Sequence, residues 1–182
     1  MATATAPGYI RSAAYEITRP ADTTDYASGD HMANSTTAGD VVPMEFEVAR
    51  DNGGTGKVVG AILLTSSATA FGAMRLHLFN NAPFAAAGYQ ADNAALALTY
   101  AAMQTGAGVT NPKNNYIGVV DFTTFTAQSS SALSIGTCEL TELNFACIGG
   151  SKKIYGLLEA RAAITPASAQ KFTAIIQARG VT

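Results

Sequence analysis

Apolar and polar residues alternate along much of this chain with a period of two. Met44-Glu45-Phe46-Glu47-Val48 is the strictest case: three apolar side chains fall on one face of an extended segment and both glutamates on the other. In Met74-Arg75-Leu76-His77-Leu78-Phe79 the residues Met74, Leu76 and Leu78 share a face. Arg11 to Arg19, Val58 to Ser66, Cys138 to Cys147, Lys153 to Ala163 and Lys171 to Arg179 read as further strands. Asn115 to Thr126 is apolar on both faces and predicts a central strand covered on each side.

Between the strands, Asp51-Asn52-Gly53-Gly54-Thr55-Gly56 supplies the left-handed positions of a hairpin-type turn. Pro20 to Pro43 is a long polar loop with one short strand near Gly29 to Asn34. Asp92-Asn93 as an N-cap, followed by Leu96, Tyr100 and Met103 at i, i+4 and i+7, predicts a short helix. The alternation Leu96, Leu98, Tyr100 is the rival, strand reading. Residues 1–10 end in Pro7-Gly8-Tyr9-Ile10 without a period and predict an extended N-terminal arm, leaving 11–182 as a single domain. Roughly eight strands at this spacing make an all-β, two-sheet antiparallel β-sandwich, jelly-roll-like, with one short helix. An immunoglobulin-like sandwich is the alternative, weakened by the absence of Trp.

Charge changes the picture. Hydrophobic residues make up 48% of the 182, but charged ones only 13%, against a usual quarter or so, and the formal net charge is −2. A surface this poor in charge suits a protein that hides much of it against copies of itself or a lattice. The simpler reading is a monomer kept soluble by Ala, Thr, Ser, Gly and Asn. Lys152-Lys153 is the only adjacent basic pair, so nucleic acid is not an expected partner. The pair fits a strand edge, where Lys discourages unwanted pairing. No apolar run approaches the roughly 20 residues that span a bilayer, and no targeting segment is visible, so the expectation is synthesis in a cytosol without a membrane partner.

The chemistry-bearing residues are few. If Cys138 to Cys147 is one strand, the thiols lie roughly 30 Å apart at about 3.4 Å per residue and on opposite faces, which predicts free, largely buried thiols. His31 and His77 are the only histidines, and neither has a carboxylate and a nucleophile placed around it by sequence spacing. Both read as surface or interface side chains, not as a triad or zinc site. No serine sits in Gly-x-Ser-x-Gly. Gly53-Gly54-Thr55-Gly56-Lys57 runs into Val58, so it lacks the ending of a phosphate-binding loop. Asp51 and Asn52 fall far short of the six to eight oxygens that calcium takes. Glu45 and Glu47 lie on one strand face, where they cannot flank a glycosidic bond. The expectation is no catalytic residue, no metal and no cofactor.

Two blocks carry more information than the rest. Thr18-Arg19-Pro20-Ala21-Asp22-Thr23-Thr24-Asp25-Tyr26-Ala27-Ser28-Gly29-Asp30 continues to Val42-Pro43, and the second runs from Ile154-Tyr155-Gly156-Leu157-Leu158-Glu159-Ala160-Arg161 to Ala169. They resemble a family of small tailed-bacteriophage proteins encoded beside the major capsid protein, the capsid decoration or cement proteins. The likeness is looser from Gly53 to Phe79, and about half the chain carries none of it. The resemblance implies a β-rich fold, a seat on the outer capsid surface of a virion made in the host cytoplasm, the major capsid protein as partner, and a stabilising role without turnover. Association with copies of itself is expected to give a homotrimer at three-fold junctions of the lattice, with a homodimer as the alternative. Pro7, Tyr9 and Ile10 are too apolar for a purely solvating tail and are the candidate partner contact. The second reading is a virion-displayed receptor- or carbohydrate-binding β-sandwich, for which seven Tyr supply aromatic surface.

Overall fold

The computed structural model describes residues 9–67, 72–82, 90–96, 98, 115–128, 133–138 and 142–181. Among the described residues eleven strands follow in chain order: β1 (Ile10–Thr18), β2 (His31–Met32), β3 (Met44–Glu47), β4 (Thr55–Thr65), β5 (Met74–Phe79), β6 (Tyr116–Phe122), β7 (Thr124–Ala127), β8 (Ser134–Thr137), β9 (Leu143–Ala146), β10 (Lys153–Ala160) and β11 (Lys171–Val181). All pairings are antiparallel. One sheet has the order β1-β11-β4-β8-β7, and β9 joins the β8 edge of β4. The other has the order β2-β10-β5-β6, and β3 lies on the β2 edge of β10. When β2 with β3 and β8 with β9 each count as one interrupted strand, and β7 as a continuation of β6, the first strand pairs the eighth, the second the seventh, the third the sixth and the fourth the fifth. That is the wrapped hairpin of a jelly roll.

The inner faces follow the alternation in the sequence. Met44 and Phe46 of β3, Met74, Leu76 and Leu78 of β5 and Ile154 and Leu158 of β10 are buried against Phe172, Ala174 and Ile176 of β11 and Leu63 of β4. One feature of β4 escapes a period-two reading. Gln177 faces Gly60 while Ala178 faces Val58, so Val59 is an extra residue. This bulge returns Val58 and Ala61 to the same buried face despite their odd spacing.

Several expectations are corrected. Asn115 to Thr126 is not one central strand: β6 ends at Phe122, β7 begins at Thr124, and the chain changes sheets between them, so each segment is an edge. Asp51 to Gly56 does not close a hairpin either. It carries the chain from β3 in one sheet to β4 in the other, with Gly53 at φ +72° and its N–H donated to the Ser151 carbonyl. The predicted helix is absent from the part of 92–103 that is described. Asp92 and Asn93 form a turn and Ala95 bridges Asp30, while 97 and 99–103 lie outside the described residues.

Cys138 to Cys147 is likewise interrupted. From Thr137 to Leu143 the chain advances six residues while its partner β4 retreats only four, from Ile62 to Val58. Six and four are both even, so it is the Val59 bulge within that stretch of β4 that shifts the parity: Thr137 faces the outward Ile62 and Leu143 the inward Val58, and Cys147 is buried in the main core while Cys138 packs half-buried against it. Both thiols are free. Cys138 Sγ donates to the Ala61 carbonyl and the Cys147 N–H to that of Gly54, which separates them by roughly 20 Å along β4 at about 3.3 Å per residue. Burial pushes the Cys147 thiol up to about 11 and raises that of Cys138 as well. Iodoacetamide at pH 8 should therefore label Cys138 at least about tenfold faster than Cys147 in the native protein. Intact mass with peptide mapping reads this, and equal labelling would show that Cys147 is not sealed in the core.

Candidate functional site

Among the described residues, the buried charged and histidine side chains, Arg19, His31, His77, Asp92 and Glu159, gather on the outer face of the β2-β10-β5-β6 sheet and on the loop that covers it. The two distinctive sequence blocks meet there. Tyr26 bridges Ile164, the Gly29 N–H donates to the Ala160 carbonyl at 2.7 Å, and the Ala160 N–H returns to Asp30 at 2.9 Å.

Arg19, just past β1, anchors the loop. Its side chain is fully buried. Nε donates to the Tyr26 hydroxyl at 3.0 Å, Nη2 to Asp22 Oδ1 at 2.7 Å, and Nη1 to the carbonyls of Asp22 and Ala167. The Tyr26 hydroxyl donates onward to Asp92 Oδ1 at 2.7 Å, which also accepts the Ala33 N–H. Asp92 Oδ2 lies 3.6 Å from Arg19 Nη2. Burial raises the Asp92 carboxyl above its ordinary range and drives the Tyr26 phenol far up. Asp92 Oδ1 is satisfied by two donors, whereas among the described residues Oδ2 is buried without a hydrogen bond and has only the Arg19 cation nearby to offset its burial.

The histidines are not surface side chains, contrary to their sequence reading: His31 is 2% exposed and His77 8%. His77 lies between two partners, with Nε2 2.9 Å from Glu159 Oε2 and Nδ1 3.0 Å from the Tyr116 hydroxyl. A neutral ring donating from Nε2 and accepting at Nδ1 satisfies both. Burial lowers its basicity, which Glu159 opposes. Beside it Arg75 grips Asp121 with two bonds, at 2.6 and 2.9 Å, and Arg161 holds the second Glu159 oxygen at 3.1 Å. His31 faces Glu159 across the β2–β10 pair, and its Nδ1 is 2.8 Å from the Gln90 carbonyl.

Glu159, His77 and Tyr116 thus form a carboxylate–imidazole–hydroxyl chain, the order of groups that activates a nucleophile in hydrolases. The terminal hydroxyl is a phenol whose pKa burial raises, the reverse of what activation requires. This chain of bonds orients strands; it does not present a reactive oxygen. Among the described residues no three His, Cys, Asp or Glu side chains are placed to hold a metal ion, and no helix is long and apolar enough to cross a membrane.

Sequence reasoning named His31 and His77 but missed their partners, together with Arg19, Tyr26 and Asp92. One signal was available. His77 sits directly between Leu76 and Leu78 and Glu159 between Leu158 and Ala160, and two ionisable residues so flanked invite pairing. Glu45 and Glu47 lie on an outward strand face as expected, paired with Lys153 and Arg11.

The candidate contact residues at the N-terminus are partly tied to their own domain. Pro7 lies outside the described residues. The Tyr9 carbonyl accepts the Gly180 N–H at 3.1 Å, its hydroxyl accepts the Arg50 N–H, and its ring sits against Gly180. Ile10 opens β1 opposite Arg179 and is 69% exposed. Tyr9 and Ile10 therefore belong to the sandwich, and of the two only Ile10 faces outward. No protein-family model matches this chain, and no curated protein shows significant similarity to it.

Proposed function

We propose that this chain is a virion structural protein that binds the outer surface of a capsid and stabilises the shell. The observation that carries the reading is the outer face of the six-stranded sheet. Ala14, Ile175 and Ile62 lie side by side across β1, β11 and β4, and Leu64 stands next to Ile135 of β8. These side chains point away from the core, and Ile62, Leu64, Ile135 and Ile175 are only half-buried. This half-buried apolar strip, flanked on the same face by the Glu16–Lys171 and Lys57–Glu142–Arg179 ion pairs, fits the apolar centre and charged rim of a contact with another protein. The jelly roll is a recurrent capsid building block, which supports the reading by analogy alone. Bridging several subunits would stabilise the shell by mass action, since the protein binds the assembled lattice and not its dissociated subunits. Association as a homotrimer is part of the same proposal.

The test is cosedimentation with capsid shells built from the major capsid protein, followed by DNA release on heating. Decorated shells should hold their DNA to higher temperature than bare ones. Leu64→Glu with Ile175→Glu, both at outward positions, should leave the circular dichroism spectrum unchanged and weaken shell binding at least about tenfold. Identical DNA release from bare and decorated particles would overturn the reading.

One groove favours the second reading, a displayed saccharide-binding module. Tyr155 offers an aromatic side chain beside Glu47, Asn52, Ser151, Lys152 and Lys153, a set of donors and acceptors around an apolar ring. Binding on a glycan array that Tyr155→Ala abolishes would favour it over the capsid role.

A further inference from the structure

We propose that His31 is a proton-sensitive latch for the strap formed by residues 90–96, so that acidification opens this strap while the jelly roll stays folded. The strap runs over the outer face of the β2-β10-β5-β6 sheet, and its hydrogen bonds converge on one short stretch of the covering loop. The His31 N–H donates to the Ala94 carbonyl at 2.8 Å, the Asn93 N–H to the His31 carbonyl at 2.9 Å, and the His31 ring meets the Gln90 carbonyl through Nδ1. Leu96 N–H to Gly29 and Asp92 N–H to Ser35 complete the fastening. Beneath lies a separate apolar cluster of Ala33, Val41, Phe79 and Leu157, against which Leu96, Leu98, Tyr116 and Tyr155 pack.

A carbonyl can only accept, so Nδ1 carries the proton and Nε2 is the bare nitrogen of the neutral ring. Protonating Nε2 would place a cation in a 2%-exposed position. The groups around it do not welcome that charge. Glu159, opposite on β10, is already engaged by His77 and Arg161. β5 presents His77 itself and Arg75, and β6 presents Asp121, which Arg75 neutralises, and Tyr116. On the loop, Asp30 caps the Ala27 N–H. On the strap, Asp92 Oδ1 is taken by Tyr26 and Ala33, and its Oδ2 makes no hydrogen bond to a described residue but lies 3.6 Å from the Arg19 cation.

The sign follows from linkage. Burial lowers His31 from 6.5 to about 4 in the closed state, whereas an opened, solvated ring keeps the ordinary value. Between those values the open form binds one more proton, so opening becomes about tenfold more favourable per pH unit of acidification. Asp92 works the other way: its carboxyl, raised in the closed state by burial, takes up a proton as the pH falls toward the ordinary carboxylate range, so just above that range it offsets part of the His31 slope, and below it the offset is complete.

The experiment is hydrogen–deuterium exchange on the intact protein from pH 7.5 to 5.0, corrected for the intrinsic rate. Peptides covering 90–96 should lose protection about tenfold per unit below pH 6.5, while those from β11 hold theirs. His31→Gln, which cannot gain a proton, should flatten that dependence. If His31→Gln fails to protect β11 at pH 7.5, the wild-type imidazole titration by NMR decides instead, with a midpoint well below 6.5 coinciding with strap exchange supporting the latch. Strap protection independent of pH, an unchanged slope in a folded His31→Gln, loss spread equally over β11, or an ordinary His31 midpoint would each overturn the proposal.

Discussion

Replacing Arg19 with alanine should lower the unfolding free energy by about 3–5 kcal/mol, the usual cost of breaking a buried ion pair from one side. The mutation leaves Asp92 at 1% side-chain exposure with its cationic partner gone, and frees the carbonyls of Asp22 and Ala167 that Arg19 Nη1 satisfied. It also removes the guanidinium packed 5.2 Å from the centre of the Tyr26 ring. Tyr26→Phe should cost less, about 1–3 kcal/mol, since it strips only the hydroxyl linking Arg19 to Asp92. Urea denaturation gives both values. Because the two residues act in one network, the double mutant should cost less than the sum. A loss below about 1 kcal/mol for Arg19→Ala would mean that the network is solvated in solution.

Phe46→Ala should cost a similar 3–5 kcal/mol by a different route, loss of burial plus a cavity. Phe46 is 0% exposed between the sheets. Its ring meets β10 where Gly156 leaves room: a Cβ at Gly156 would stand 3.0 Å from Phe46 Cε2 and 2.8 Å from Leu76 Cδ1. Gly156→Ala should therefore destabilise the wild type by about 1–3 kcal/mol through overpacking. In the Phe46→Ala background it should cost less, since one of the two clashes has gone and the new methyl enters the cavity. Thermal melts of the four proteins close this cycle. Strict additivity would show that the two positions do not share the space.

The strands with strict alternation were the legible part. Met44 to Val48 and Met74 to Phe79 appear where the pattern put them, because the side-chain period of a strand is a local property that burial of one face writes into the sequence. Where a strand is interrupted, the pattern misled. The apolar run from Asn115 to Thr126 reads as one doubly covered strand, yet its two halves are edges of different sheets. Both faces are apolar because the inward face changes as the chain crosses over at Thr123. The bulge at Val59 was equally hidden, since an extra residue leaves no mark apart from a slipped period.

The candidate site was the least legible. His77 and Glu159 are 82 residues apart and Tyr26 and Asp92 are 66 apart, so no local window contains both partners. Their burial depends on the 26–35 and 90–96 segments folding over the sheet, a tertiary event. A histidine beside a leucine looks the same in sequence whether solvent or a strap lies above it. By itself the sequence determined the period-two elements, the two-sheet all-β architecture and the low surface charge, because these follow from what each residue prefers next to its immediate neighbours. The tertiary structure alone decided the jelly-roll pairing of first strand with last, the point where the chain changes sheets, and which polar groups are buried, because each depends on contacts between segments far apart in the chain.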